Sequence, residues 1–277
     1  MHMNHLSQII AICLLIILPI GCEDTQKEPV TKGIKIGELS PGGKRKQPKV
    51  VHSTNIQVIS YELEAENIKA FDNIWKILTG GTIRYNEPNG FAMNGLRAGM
   101  GDFEQYNKLM ATLKSANAKR IISTSLLLSD NQPEMVNITR LTQSLTIPYF
   151  ERKGLVKQAQ AGPATIGLQV FARQLISSSK SPTSSGVNLR QLASIHVTPA
   201  IFAETEGLAP ALIERFREND LRVYSAGFSA IVKPGEFVFL SPIENNPDQA
   251  SAAYRFFFKQ EPKPAIRVFL LVCASIS

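Results

Sequence analysis

The chain has 277 residues with 44% hydrophobic content, enough for one or two globular domains and too apolar for a disordered polymer. Thirty Lys and Arg against 23 Asp and Glu leave a formal charge of +7. The cations are scattered except for Lys44, Arg45, Lys46 and Lys49, so no nucleic-acid partner is expected.

The N-terminus carries the only long apolar run, Ile9 to Ile20, closing in Leu18-Pro19-Ile20-Gly21-Cys22 ahead of Glu23 and Asp24. A short apolar core, a small residue and then cysteine resembles the lipobox of bacterial lipoprotein signal peptides. Pro19 stands where lipoboxes usually carry Leu, and His2 and His5 replace the usual Lys or Arg. The resemblance implies a signal over residues 1–21, cleavage before Cys22, and acylation of the Cys22 thiol and amine. The mature chain would be exported and held by lipid in a bacterial envelope, at the outer membrane or its periplasmic face. An ordinary secretory signal and an uncleaved anchor are the alternatives, although the run is short for a span of about 20 residues. On the lipobox reading Cys13 leaves with the signal and Cys22 takes the lipid. Cys273 then stands alone, no internal disulfide forms, and Cys273 is expected to be a small core residue.

Residues 22–49 contain Gly33, Gly37, Pro41, Gly42, Gly43 and Pro48 with little hydrophobic period, which predicts a flexible tether with an end-to-end distance of roughly 30 Å. The basic cluster lies here, as a solvated linker or a headgroup contact. Regular structure is expected from residue 50. Ile56, Val58, Tyr61 and Leu63 predict a strand with a phase slip near Ile59. Ile68, Phe71, Trp75 and Leu78 predict an amphipathic helix over 66–78, stopped by Gly80 and Gly81, with Trp75 as a core anchor. Residues 91–101 read as a glycine-containing strand and turn. Asp102 reads as a helix cap, and Phe103, Tyr106, Leu109, Met110 and Leu113 as the apolar face of a second helix.

Residues 118–129 read as a buried strand, Asp130-Asn131-Gln132-Pro133 as a turn, and 135–139 with 144–150 as paired strands. Ile166, Leu168, Val170 and Ala172 alternate in a strand over 164–175. A polar loop over 177–186, a strand over 192–202 and a short helix over 208–218 follow. Residues 228–232 and 237–240 flank Lys233-Pro234-Gly235-Glu236, read as a hairpin turn. Strands over 254–259 and 266–274 close the chain, the first with Tyr254, Phe256 and Phe258 on one face and Arg255, Phe257 and Lys259 on the other.

No catalytic constellation emerges. His52 and His196 are the only histidines beyond the signal and form no metal-ligand spacing. Ser129, Asp130 and His196 are residue types of a triad but lack a nucleophile-elbow motif. Glu62, Glu64 and Glu66 read as the wet side of a strand. Gly95, Gly99 and Gly101 lack the ending of a phosphate loop and read as turn residues. No enzyme activity, cofactor, metal or small-molecule substrate is expected.

The order of segments resembles the β-domain of bacterial secretins. Residues 56–63 with the following helix, and 103–113 with 118–128, resemble its opening elements. Ser129-Asp130-Asn131-Gln132-Pro133-Glu134 is similar to the family's Asp-Asn-Gln/Glu-Pro-Ala turn, and Ile147-Pro148-Tyr149 to its Val-Pro-Tyr. Gly167-Leu168-Gln169-Val170, Val197-Thr198-Pro199, Val232-Lys233-Pro234-Gly235-Glu236 and the last apolar strand match later motifs. The chain departs from the family in lacking a Val-Pro-Gly-Leu-Gly-Asp-Ile-Pro run after residue 240, and its tether is too short for the preceding ring modules. The resemblance implies an α+β, β-rich domain over 50–277, built of antiparallel or mixed sheets with two amphipathic helices. Its structural motif residues would be Asp130, Asn131, Pro133, Pro148, Gly167, Pro199, Pro234 and Gly235. The implied function is a homo-oligomeric pore or docking ring for protein secretion or pilus passage, with other envelope proteins as partners. The alternative is a monomeric periplasmic lipoprotein that acts as an interaction or assembly factor.

Overall fold

A computed structural model describes residues 52–79, 82–175, 192–204, 220–260 and 262–277, with Lys153 by its backbone alone. All belong to one compact unit, Val50–Ser277. Cys22, the tether and its basic cluster, Gly80 and Gly81, the 177–186 loop and the 208–218 helix lie outside the described residues.

The strands in chain order are β1 (Ser53–Glu64), β2 (Ile83–Tyr85), β3 (Leu96–Gly101), β4 (Lys119–Ser129), β5 (Glu134–Leu141), β6 (Leu145–Phe150) and β7 (Val156–Ala161). They continue as β8 (Ala164–Leu175), β9 (Leu192–Ala203), β10 (Leu221–Arg222), β11 (Phe228–Val232), β12 (Phe237–Pro242), β13 (Phe258–Lys259) and β14 (Ala265–Ile276). The helices are α1 (Asp72–Ile77), α2 (Pro88–Met93), α3 (Phe103–Ser115) and α4 (Ala252–Phe257). A first sheet runs β3-β12-β14-β1-β4 with β13 beside β14; a second runs β2-β11-β9-β8-β5 with β10 beside β9. The strand pairs of both sheets are antiparallel, and β6 and β7 form a separate ribbon. The fold is α+β and β-rich.

Two cores hold this arrangement. Ile59, Tyr61, Leu63, Phe237, Phe239, Val268 and Leu270 of the first sheet pack against Phe71, Leu109 and Leu113 of the helical layer. Ile56, Val58, Phe269, Leu271 and Cys273, on the opposite face, pack against Ile166, Leu168, Val170, Ile195, Val197 and Phe228 of the second sheet. Strand β14 is therefore central and covered on both sides, which explains its unbroken apolar run. The same layering explains the expected phase slip in β1. Ile56 and Val58 serve one core, Ile59, Tyr61 and Leu63 the other, and the β1–β4 register shifts between Ser60 and Tyr61. Burial also pushes the Cys273 thiol up to about 11, with Glu236 adding to the shift, so the thiol stays protonated.

Local chemistry sets the helix boundaries. Asp102 caps α3 by accepting from the amides of Glu104 at 2.8 Å and Gln105 at 3.4 Å, while Gln105 Oε1 accepts from the Asp102 amide at 3.0 Å. The 66–78 helix starts as a 3₁₀ segment, Ala65–Phe71, before α1. Trp75 packs on Phe239 at 5.1 Å, with the Arg97 guanidinium 4.5 Å from its ring centroid.

Several expectations are corrected. Residues 91–101 contain the end of α2 before β3 begins, because Pro88 suits a first helical position. Phe103, the first residue of α3, is exposed rather than on the apolar face. Strand β4 is not buried, since it ends the first sheet and only Leu126 and Leu128 reach the core. Strands β5 and β6 do not pair with each other; β5 joins β8, and β6 joins β7, a strand unmarked by alternation. The turn at Lys233-Pro234-Gly235-Glu236 is a true β-turn, with the Glu236 amide donating to Lys233 O at 3.0 Å, but not a hairpin. It carries the chain from β11 in the second sheet to β12 in the first. Residues 252–257 form α4, not a strand, because Tyr254 and Phe258 share a side at helical i, i+4 spacing while Phe256 and Phe257 enter the core. Chance alternation of aromatics mimicked a period of two.

Candidate functional site: the open edges of the two sheets

The turn at Asp130 to Pro133 and Gly167 lie along one side of the sandwich. Strand β4 ends the first sheet and β5 the second, and the turn joining them lies along this side. Asn131 holds φ at 59°, a left-handed conformation that asparagine tolerates well. The Asp130 carboxylate accepts from the Gln174 amide at 2.9 Å, and the Asn131 amide donates to Ala172 O at 2.9 Å. The turn is thus clamped onto β8, and Pro133 leads into β5.

Gly167 lies where β5 bulges between Asn137 and Thr139. A Cβ there would come within 2.5 Å of Val136 O, so only glycine permits this approach. Pro199 occupies β9 between the stretches paired with β11 and with β10, where a missing N–H costs little, and its carbonyl accepts from the Val223 amide at 2.9 Å. Pro148 sits in the β6–β7 ribbon opposite Gln158. Pro234 and Gly235, at φ 89°, form the sheet-to-sheet turn. These residues are therefore distributed over the molecule, and only Asp130, Asn131, Pro133 and Gly167 flank the β4/β5 side.

The two sides of the sandwich differ. On one, β2 has three residues, and β3 is bridged by Thr79, whose amide and carbonyl pair with Met100 at 3.0 and 2.8 Å. On the other, β4 has 11 residues and β5 has eight, and neither has a second neighbouring strand among the described residues. Ile121 and Leu127 on β4 are 49% and 68% exposed. Natural proteins usually blunt such edges with short strands or charge. Here Lys119 and Arg120 guard only one end of β4.

The catalytic readings find no geometric support. No hydrogen bond joins Ser129, Asp130 and His196. His196 instead approaches Ser194 Oγ at 3.2 Å and stacks on Phe171 at 4.3 Å. Burial, reinforced by the Arg173 guanidinium, holds its pKa below 6.5. The unfolded chain therefore binds this proton more readily, and the associated stability is full above about pH 6.5 and falls as pH drops below it. Lowering the pH from about 7.5 to about 5.5 is expected to cost the native chain more Tm than a His196→Gln variant. Equal losses in a thermal melt would refute this.

Glu64 and Glu66 are exposed as expected, whereas Glu62 is half-buried. Glu62 accepts from Arg267 Nε at 3.3 Å, and Arg267 donates across the sandwich to Ile138 O in the β5 bulge at 2.7 Å. Gly99 and Gly101 cradle no phosphate, because a Cβ would meet Leu78 at 2.9 Å and Phe237 at 2.5 Å respectively. A cleft of about 490 Å³ at the end of β5, β8 and β9 holds the Arg140–Glu204 ion pair and Asp220, which accepts from the Ala203 amide. Among the described residues no group of His, Cys, Asp and Glu could hold a metal ion, and no helix is long and apolar enough to cross a membrane.

Sequence reasoning missed Asn94, the most connected buried polar residue among those described. Its Nδ2 lies 2.8 Å from Gly90 O, 2.8 Å from Phe150 O and 3.1 Å from Ser225 Oγ. Its Oδ1 accepts from the amides of Phe150 and Ala252. The signal available was an asparagine followed by glycine, which reads as a turn; Gly95 does adopt φ 72° there.

No protein-family model matches the chain, and neither a curated protein nor a solved structure is significantly similar to it.

Proposed function

We propose that the chain is a secretin-like, lipid-anchored component of a bacterial outer membrane that self-associates into a docking ring or pore for protein secretion or pilus passage. The observation that carries this reading is the long β4/β5 side, which no further strand pairs among the described residues, with exposed Ile121 and Leu127. Edge pairing between copies would satisfy its backbone groups. The segment order and the turn at Asp130 to Pro133 support the secretin assignment, and Cys22 the lipid anchor.

The outward face of the second sheet carries Thr165, Gln169, Arg173, Ser194 and Thr198. That polarity suits a water-facing wall and favours a docking ring over a lipid-facing barrel. A second reading, a monomeric interaction factor, is favoured by the two cores that close within one subunit and by the blunted β2/β3 side.

Imaging and mass measurement of the full chain extracted in mild detergent test the proposal. Discrete multimers are expected. Leu127→Lys should weaken association at least tenfold while leaving Tm nearly unchanged, since this exposed position contributes little to the monomer. A wild-type chain that stays monomeric at every concentration would leave the second reading standing. Replacing Cys22 by Ser should release the protein from membranes if the anchor is correct.

A further inference from the structure

We infer a saccharide-binding cleft where α4 runs into β13, independent of self-association. Tyr254 and Phe258 are half-buried with ring centroids 5.4 Å apart, and both line an open cleft of about 600 Å³. A cavity of this size accommodates roughly one to three sugar rings. Amphipathic rings offer flat apolar surfaces to the C–H faces of sugars while leaving polar rims free.

The opposite wall supplies hydrogen-bonding groups on an anchored backbone. Asn245, Asn246 and Gln249 line the cleft, and among the described residues their carboxamides make no hydrogen bond. The loop that carries them is pinned at both ends. The Ile243 amide donates to Gly95 O at 2.8 Å, Pro247 is buried, and Asp248 O accepts from the amide and hydroxyl of Ser251 at 2.8 and 2.6 Å. Gln260 adds a fourth carboxamide, held by the Tyr254 hydroxyl at 3.1 Å.

Charge selects the ligand class. Glu64 and Glu66 line the rim with Lys263, which lies 3.6 Å from Glu64. Two carboxylates against one ammonium among the described lining residues disfavour an anionic ligand, and no carboxylate cluster is present to hold a metal cation. Carboxamides donate and accept at once, as arrays of hydroxyl and acetamido groups require. The ligand is a neutral glycan segment.

Titration calorimetry on the full chain with tri-N-acetylchitotriose, cellotriose and maltotriose tests the inference. Saturable binding of at least one sugar is expected, with a Kd of roughly 10 µM to 1 mM. The double variant Asn246→Ala/Gln249→Ala, altered only at exposed side chains, should weaken it at least about tenfold at unchanged Tm. Phe258→Leu should weaken it too. Co-sedimentation with purified peptidoglycan identifies cell-wall glycan as the source; sugar binding without co-sedimentation identifies a free or surface oligosaccharide. No saturable binding of any of the three sugars, or equal binding by the double variant, would overturn the inference.

Discussion

Replacing Asn94 by alanine is expected to destabilise the protein by about 2–6 kcal/mol, since it strips partners from the part-buried amide of Phe150 and the buried amide of Ala252 at once, each worth about 1–3 kcal/mol. Asn94 is fully buried at the junction of α2, β6, α4 and the segment holding Ser225. Its own backbone carbonyl accepts from the Ala253 amide at 3.0 Å, so the side chain and main chain together orient α4. No other side chain supplies this set. Aspartate lacks the amide donors and would place a charge where no cation is bonded to it, and leucine satisfies nothing. Asn94→Asp should therefore be at least as damaging as Asn94→Ala. Chemical denaturation of each variant measures the effect, and a loss below about 1 kcal/mol would show that water or local relaxation replaces the lost bonds. Because α4 carries Tyr254 and leads directly to Phe258, Asn94→Ala is also expected to raise local hydrogen exchange there first.

Phe239→Ala should cost a similar amount by a different route. Phe239 is fully buried in β12 and touches Phe71 at 5.3 Å and Trp75 at 5.1 Å between ring centroids. Truncation removes the wedge that joins the helical layer to the first sheet. Phenylalanine-to-alanine changes in cores cost about 3–5 kcal/mol, the lost transfer energy adding to the cavity left behind. For a domain of this size that lowers Tm by about 10 °C. Trp75 fluorescence should shift to the red in the folded variant, as its ring gains water on the vacated side. An unshifted spectrum and an unchanged Tm would mean that the helical layer contributes little, against the packing described. Phe239→Leu, which keeps most of the volume, should recover much of the loss.

The two effects separate cleanly. Asn94 acts through hydrogen bonds at one end of the sandwich, while Phe239 acts through volume in the core between helices and sheet. The double variant should lose nearly the sum of both, because the sites share no partner. Neither residue belongs to the β4/β5 side, so self-association of whatever fraction stays folded should be retained. Leu127→Lys should do the reverse, sparing the fold and impairing association.

Much of the fold was legible in residue patterns. Alternation located β8, where one face meets the core and the other does not. Asp102 announced the start of α3, and Asn131 and Gly235 announced turns, because these signals depend on a few adjacent residues. What adjacent residues cannot encode is partnership. Val232 and Phe237 flank a tight turn whose chemistry is the same whether the chain folds back on itself or passes to another sheet; only the packing of β12 between β3 and β14 decides. The run Ile121 to Leu128 is apolar enough for a centre, yet tertiary order placed it at an edge and left Leu127 in water. Tyr254 to Phe258 alternated like a strand until the core claimed Phe256 and Phe257 together. The chain by itself thus determined where elements start, turn and stop, since propensity, capping and backbone stereochemistry are local. Which strands became neighbours, which edges stayed open and which side chains met in the Asn94 junction were decided by long-range burial, because that free energy exists only once distant segments meet.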